Sequence, residues 1–263
     1  MQKFLLSLVF VVALGSCWNG VAQQVVPPLP VYDAAVIKVN NTLSRSSRTD
    51  INDATFQATN VTLKHLLVNA FGIRKGQIFG LPAWADSLRW DVNAKVTDPD
   101  MKVISSLSRE QRQRMLAALL VERFHLQKHI ELKTLPVYEL VVAKNGPKLQ
   151  VSKVAPDATG PGDFDVHNTD MTATGVMMPD FATNISYPLD RTVIDKTGLT
   201  GRYDFRLQWT PDNVANNAAD NGAADAPPTI FTAIEEQLGL KLQPGKGPVN
   251  TLVIDHVEQP TEN

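Results

Sequence analysis

Two histidines four residues apart, His125 and His129, have the spacing with which a helix presents a pair of zinc ligands. The metalloprotease form of that motif needs a glutamate directly after the first histidine as general base, and Leu126 stands there instead. The surrounding pattern, Phe124 to His129, reads as a strand. Positions four apart on a strand lie roughly 13 Å from each other, too far to share one ion. Both are therefore read as structural histidines. Asp195, Asp204 and Asp255 are the carboxylates that could pair for acid–base work, but each adjoins turn or strand signals, where an aspartate commonly bonds the backbone.

The string Asp195-Lys196-Thr197-Gly198-Leu199-Thr200-Gly201 places two glycines three apart and reads as a turn between two strands. It has neither the form of a phosphate-binding loop nor the alternate carboxylates of a calcium loop. The chain shows no Gly-x-Ser-x-Gly elbow and no dinucleotide fingerprint. No catalytic, metal-binding or cofactor-binding residue is expected, and the chain is read as a non-enzyme. The alternative is a periplasmic hydrolase of an unrecognised type, which would require a cluster of perturbed acids in a pocket.

Cys17 is the single cysteine, so no intramolecular disulfide can form. It follows a basic start at Lys3 and an apolar run over Phe4–Leu14, the pattern of a signal peptide over residues 1–24. The run is about a dozen residues, where a membrane-crossing helix needs roughly 20. Cleavage after Ala22 would discard Cys17. Cleavage before Cys17, within Ala13-Leu14-Gly15-Ser16-Cys17, would use residues 1–16 as a lipoprotein signal and make Cys17 the lipidated N-terminus. Either way the chain is expected to be exported: periplasmic, secreted or lipid-anchored to the envelope. Membrane contact is expected only through that lipid or an uncleaved signal.

The elements that must position any site follow from periodicity. Phe56–Val61 alternates as a strand, Thr62 is placed as an N-cap, and Leu63, Leu66, Leu67 and Ala70 mark one helix face that Gly72 ends. Arg89–Val96 alternates as the next strand. Phe164–Met171, a helix near Val176–Ile185 and Tyr203–Trp209 repeat this plan, so Trp90-Asp91-Val92 and Tyr203-Asp204-Phe205 take equivalent places.

A helix over Ser108–Glu122, with Met115, Leu116, Leu119 and Leu120 inward, is followed by strands at Phe124–His129 and Leu135–Val142. The later counterpart is a helix over Ile230–Leu238 stopped by Gly239, then a strand at Leu240–Gln243 and a returning strand at Gly247–Asp255. Pro136 and Pro248 are read as opening their strands, where a missing N–H costs little.

The chain thus reads as an α+β protein of two similar halves, each running strand-helix-strand then helix-strand-strand. The first is residues 25–155 and the second 163–258, joined by a linker at 156–162. A low-complexity loop fills 213–228 and a tail 259–263. Each half is small and is expected to pack intimately on the other. The formal charge of −2, with dispersed Lys and Arg, argues against a nucleic-acid partner.

Several strings also carry a family resemblance: Trp84-Ala85-Asp86-Ser87, Leu119–Phe124, Leu135-Pro136-Val137-Tyr138, Gly146-Pro147-Lys148-Leu149, Asp195–Phe205 and Val253–Asn263. The chain resembles the exported soil-associated protein family of unknown function. Relatives of that family are fused to BlaR/MecR-type membrane sensor peptidases. The resemblance implies a binding or sensing module and supplies no catalytic residue. A weaker similarity of pattern connects the chain to the small βαββ domains at the N-termini of secretins and TonB-dependent receptors.

The expected partner is an envelope protein or peptide. Its expected docking loop is Phe79–Asp86, where Pro82 and Gly80 expose Phe79, Leu81, Trp84 and Asp86. The competing reading folds Trp84 back onto the core. The edge of Leu240–Gln243 is a second candidate, by strand addition.

Overall fold

The computed structural model describes residues 28–42, 44, 46–52, 54–155, 158–210 and 228–261. The expected signal peptide over residues 1–24, Cys17 and nearly all of the low-complexity stretch lie outside these residues. Among the described residues the chain forms six helices and twelve strands in three sheets, a mixed α+β fold.

The first sheet holds β1 (Ala34–Val39), β2 (Arg48–Asn52), β3 (Thr55–Thr62) and β5 (Arg89–Lys95) in the antiparallel order β1-β5-β3-β2. Phe56 and Ala58 of β3 and Trp90, Val92 and Ala94 of β5 alternate inward. The Thr62 hydroxyl accepts from the His65 N–H and caps helix α1 (Leu63–Phe71), which buries Leu63, Leu66, Leu67 and Ala70 and ends at left-handed Gly72. Each of the three leucines contributes about 1.5–3 kcal/mol when fully buried.

Ser108 and Gln111 form a capping box at the start of α4 (Arg109–Arg123), whose buried face is Met115, Leu116, Leu119 and Leu120. Two short helices, α2 (Trp84–Ser87) and α3 (Met101–Ser106), lie between, with β4 (Ile78–Phe79) before α2.

The third sheet runs β7-β11-β9-β8, from β7 (Gln150–Val151), β8 (Asp163–His167), β9 (Asp170–Val176) and β11 (Tyr203–Gln208). Its helices are α5 (Met178–Ile185) and α6 (Ile230–Leu238). Phe164–Met171, expected as one strand, is instead a hairpin: Asn168 takes a positive φ of 54° and turns β8 into β9.

The second sheet, β10-β6-β12-β4, joins the other two. It contains β6 (Gln127–Val142), β10 (Val193–Asp195) and β12 (Leu240–His256). The expected breaks at Leu135 and Gly247 are absent, so β6 and β12 are single strands of 16 and 17 residues paired antiparallel from Leu240↔Val142 to His256↔Gln127. Gly247–Asp255 therefore continues the strand and does not return.

Pro136 and Pro248 lie inside these strands. Tyr138 N–H bonds the Thr192 carbonyl on the β10 side, so Pro136, two residues earlier, also turns its missing donor away from β12. The same alternation turns Pro244 and Pro248 away from β6, and the ladder loses no bond.

The long pair interlocks two cores. Leu252 and Ile254, near the end of β12, pack in the core of α1, α4 and the first sheet. Leu140, near the end of β6, packs with Phe181, Ile234 and the third sheet. Each core is thus completed by a strand that follows the other core's helices in sequence.

Candidate functional site

The residues with apparent chemical promise occupy structural positions. His125 stands in the turn after α4 with φ 47°, not on a strand, while His129 lies on β6. His129 Nδ1 is 2.9 Å from Asp255 Oδ2 on the surface of the long ribbon. Among the described residues there is no group of three or more His, Cys, Asp or Glu side chains able to hold a metal ion.

Asp195 Oδ1 accepts from the Thr197 N–H at 2.9 Å and from its hydroxyl at 2.7 Å, making the turn between β10 and β11. Asp204 accepts from the Gly175 N–H, and Asp91 from the Asn60 N–H. Both partners have positive φ beside register shifts in the ladders, so these aspartates hold β-bulges.

Arg202 is buried. Its guanidinium donates to the carbonyls of Gly175 (2.7 Å), Gly160 (2.9 Å) and Ala158. It thereby fastens the end of the expected linker to the third sheet.

The stretch expected to be an exposed docking loop is largely folded back. Phe79 belongs to β4 and pairs with Val253. Leu81 and Trp84 are partly buried against the first core, with the Trp84 ring edge-on to Trp90 at 6.5 Å. Asp86 is exposed and pairs with Lys64 at 3.0 Å. Of the second candidate, Leu240–Gln243, one side pairs with β6 and the other with no strand among the described residues.

A cleft of about 670 Å³ opens elsewhere, where the two cores meet. One wall is α1 and its exit, with His65, Val68 and Ile73; another is the first turns of α4, with Arg109 and Arg112. Ile51 of β2 and the turn after α5, with Tyr187 and Asp190, complete it.

Arg74 spans the junction. Its Nε donates to the Ser186 carbonyl at 2.8 Å, beside the C-terminus of α5, where a cation is favoured. Its guanidinium carbon lies 4.8 Å from the Tyr187 ring centroid and that of Arg109 lies 5.6 Å from it. Arg112 donates to the Ile104 carbonyl at 2.8 Å. Burial, helped by Lys75 and Arg89, holds the His65 imidazole below its ordinary pKa. Burial also lowers Arg74, against the opposing pull of Tyr187 and Asp190, though an arginine remains charged.

The cleft therefore presents three guanidinium groups and one carboxylate among Val68, Ile73 and the half-exposed Tyr187 ring. That arrangement suits recognition of an anion attached to an apolar body. Sequence reasoning did not find it, because Arg74, Arg109 and Tyr187 are far apart in the chain. The one local signal is Arg109 and Arg112 at i, i+3 on a helix face.

Among the described residues no helix is long and apolar enough to cross a membrane. No curated protein and no solved structure matches the chain. A family model does, over residues 64–257, which takes in the cleft's α1, α4 and Tyr187 walls together with all of β6 and β12, and the chain accordingly belongs to the family of proteins of unknown function DUF3738.

Proposed function

We propose that the chain is a non-catalytic binding module of the bacterial cell envelope, and that the arginine cleft is its seat for an acidic segment of an envelope protein or peptide. The observation that carries the reading is Arg109. Its exposed guanidinium rests on the Tyr187 ring and, among the described residues, forms no ion pair, leaving its donors for a ligand. Burying a carboxylate against such a fork contributes about 1.5–3 kcal/mol. The signal-like N-terminus and the resemblance to exported soil-associated and sensor-fused proteins support the compartment and the sensing role. Among the described residues Asp190 is the cleft's sole carboxylate, which gives acid–base hydrolysis no pair there to work with.

The test expresses the full chain with a C-terminal tag, crosslinks intact cells, identifies what co-purifies and determines the mature N-terminus. The same purified protein is titrated with a labelled oligoglutamate peptide at two salt concentrations. The expected result is an envelope partner captured by the native chain and lost with Arg109→Glu, together with peptide binding weakened at least about tenfold. Equal capture by both forms, or no binding of the peptide, would overturn the cleft as the binding seat. Recovery of the tagged chain wholly in the cytoplasmic fraction would overturn export.

A further inference from the structure

The outer edge of β6 carries information that the cleft does not. Because Tyr138 N–H points to β10 and residues alternate along a strand, Lys128, Ile130, Leu132 and Thr134 turn their N–H and C=O groups away from β12. β10 pairs only with Tyr138–Leu140, so among the described residues these groups face no strand. Pro136 then ends the free stretch. The outer edge of β12 differs, for Pro244 and Pro248 both point their donorless nitrogens outward and blunt it.

The free edge is also apolar. Ile130 is 61% exposed and Leu132 65%, the two most exposed large hydrophobic side chains of the ribbon. Edge lysines usually guard against pairing. Here Lys128 Nζ lies over the Phe71 ring at 4.9 Å, drawn back onto the molecule's own surface, and Lys133 Nζ, 5.4 Å from the Phe79 ring centroid, is neutralised by Glu131 at 2.5 Å, so neither stands as an uncompensated edge charge.

We infer that this edge pairs antiparallel with the same edge of a second copy of the chain, about a two-fold axis at Leu132. In that register Leu132 faces Leu132, Ile130 faces Thr134, and Glu131 of each copy, which pairs with its own Lys133 at 2.5 Å, faces Lys133 of the other, so that four charges alternate in sign. Two charge pairs of opposite sign and an apolar centre follow from the sequence Ile130-Glu131-Leu132-Lys133-Thr134 alone. Leu132 turns its backbone groups outward, so the central pair exchanges both hydrogen bonds, and Lys128 falls opposite Pro136, where the pairing ends. The product is a continuous sheet through both copies. It involves no residue of the cleft, so it stands or falls separately from the proposed function.

The test uses the purified full chain with Cys17→Ser, so that an introduced cysteine is the only thiol. Leu132→Cys places two cysteines on a hydrogen-bonded cross-strand pair about 5.5 Å apart at Cα, within disulfide reach. It is expected to crosslink on mild oxidation at least about tenfold faster than Val121→Cys on α4. Sedimentation of the uncrosslinked chain is expected to show a dimer that Leu132→Glu and Glu131→Lys each weaken and that the exchange Glu131→Lys with Lys133→Glu restores. Leu132 is exposed, so its replacement leaves the monomer's circular dichroism unchanged. A chain that stays monomeric throughout a concentration series, or a dimer indifferent to Leu132→Glu, would overturn the inference. So would equal crosslinking at both positions.

Discussion

Asp204 and Gly175 meet across β11 and β9, the Asp204 carboxylate accepting the Gly175 N–H at 2.7 Å, while the Gly175 carbonyl accepts from Arg202 at 2.7 Å. Gly175 has φ 64° and sits where the ladder shifts register, so its polar groups are turned out of the regular pairing. The two side chains replace the strand partners it lost. Asp91 does the same for Asn60 in the first sheet, at 3.0 Å, and is itself held by Asn40 Nδ2 at 2.7 Å. Asp204→Ala and Asp91→Ala are each expected to cost about 1–3 kcal/mol. Thermal unfolding should show a midpoint lower by about 2–4 °C per kcal/mol for a chain of this size. An unchanged midpoint in both variants would contradict the bulge-holding role.

Arg202 should tolerate no replacement. Its planar fork reaches Gly175, Gly160 and Ala158 carbonyls together, a geometry that a lysine ammonium does not reproduce. Arg202→Lys and Arg202→Met are both expected to destabilise by about 1–3 kcal/mol, because the buried Gly175 carbonyl and the less buried Ala158 and Gly160 carbonyls lose their donor. Faster proteolysis between residues 155 and 162 should accompany the loss.

His65 makes stability depend on pH in a stated direction. Its folded pKa is held below 6.5 by burial, so the unfolded chain takes up a proton first as pH falls. The contribution is complete above about pH 6.5 and is lost as pH drops from there toward the folded value. Denaturant midpoints for His65→Gln should therefore change less between pH 7.5 and 5.5 than those of the native chain. An acidic ligand in the cleft would favour the protonated imidazole, so oligoglutamate binding should tighten over the same fall in pH.

Asp170 works lower on the scale. Hydrogen bonds from Arg206 and then Gln208 hold its carboxyl down to about 2. A depressed carboxyl contributes stability above the unfolded value near 4 and loses it as pH falls toward about 2. Asp170→Asn should lower stability at neutral pH and reduce its slope between about pH 4 and 2 relative to the native chain.

Gly80 and Gly146 have nearly the same positive φ, 78° and 80°, but different surroundings. A Cβ on Gly80 would lie 2.3 Å from the Ile254 carbonyl oxygen, whereas a Cβ on Gly146 meets nothing within 4 Å. Gly146→Ala should cost only the left-handed strain, about 1–2 kcal/mol. Gly80→Ala must also displace β12, and is expected to cost at least about 2 kcal/mol more. Equal losses would show that β12 yields freely at this contact.

Local physics made much of this protein legible in its sequence. Thr62, the Leu63–Ala70 face and Gly72 define α1 without reference to anything distant, because capping, helical period and a left-handed stop act within one element. Ser108 and the Met115–Leu120 face do the same for α4. Alternation reveals β3 and β5, and Asp195 announces its own turn.

What the tertiary structure alone decided depends on direction and distance. Pro136 and Pro248 read as opening their strands, yet they lie inside them, and their nitrogens, like that of Pro244, face away from the β6–β12 ladder; which side a donor faces is settled only by the partner strand. The exchange of Leu252 and Leu140 between two cores, and the meeting of Arg74, Arg109 and Tyr187 around one cleft, join residues remote along the chain. A sequence states the period and charge of each segment. Which charges share a cleft, and which edge stays unpaired, depends on how the segments pack.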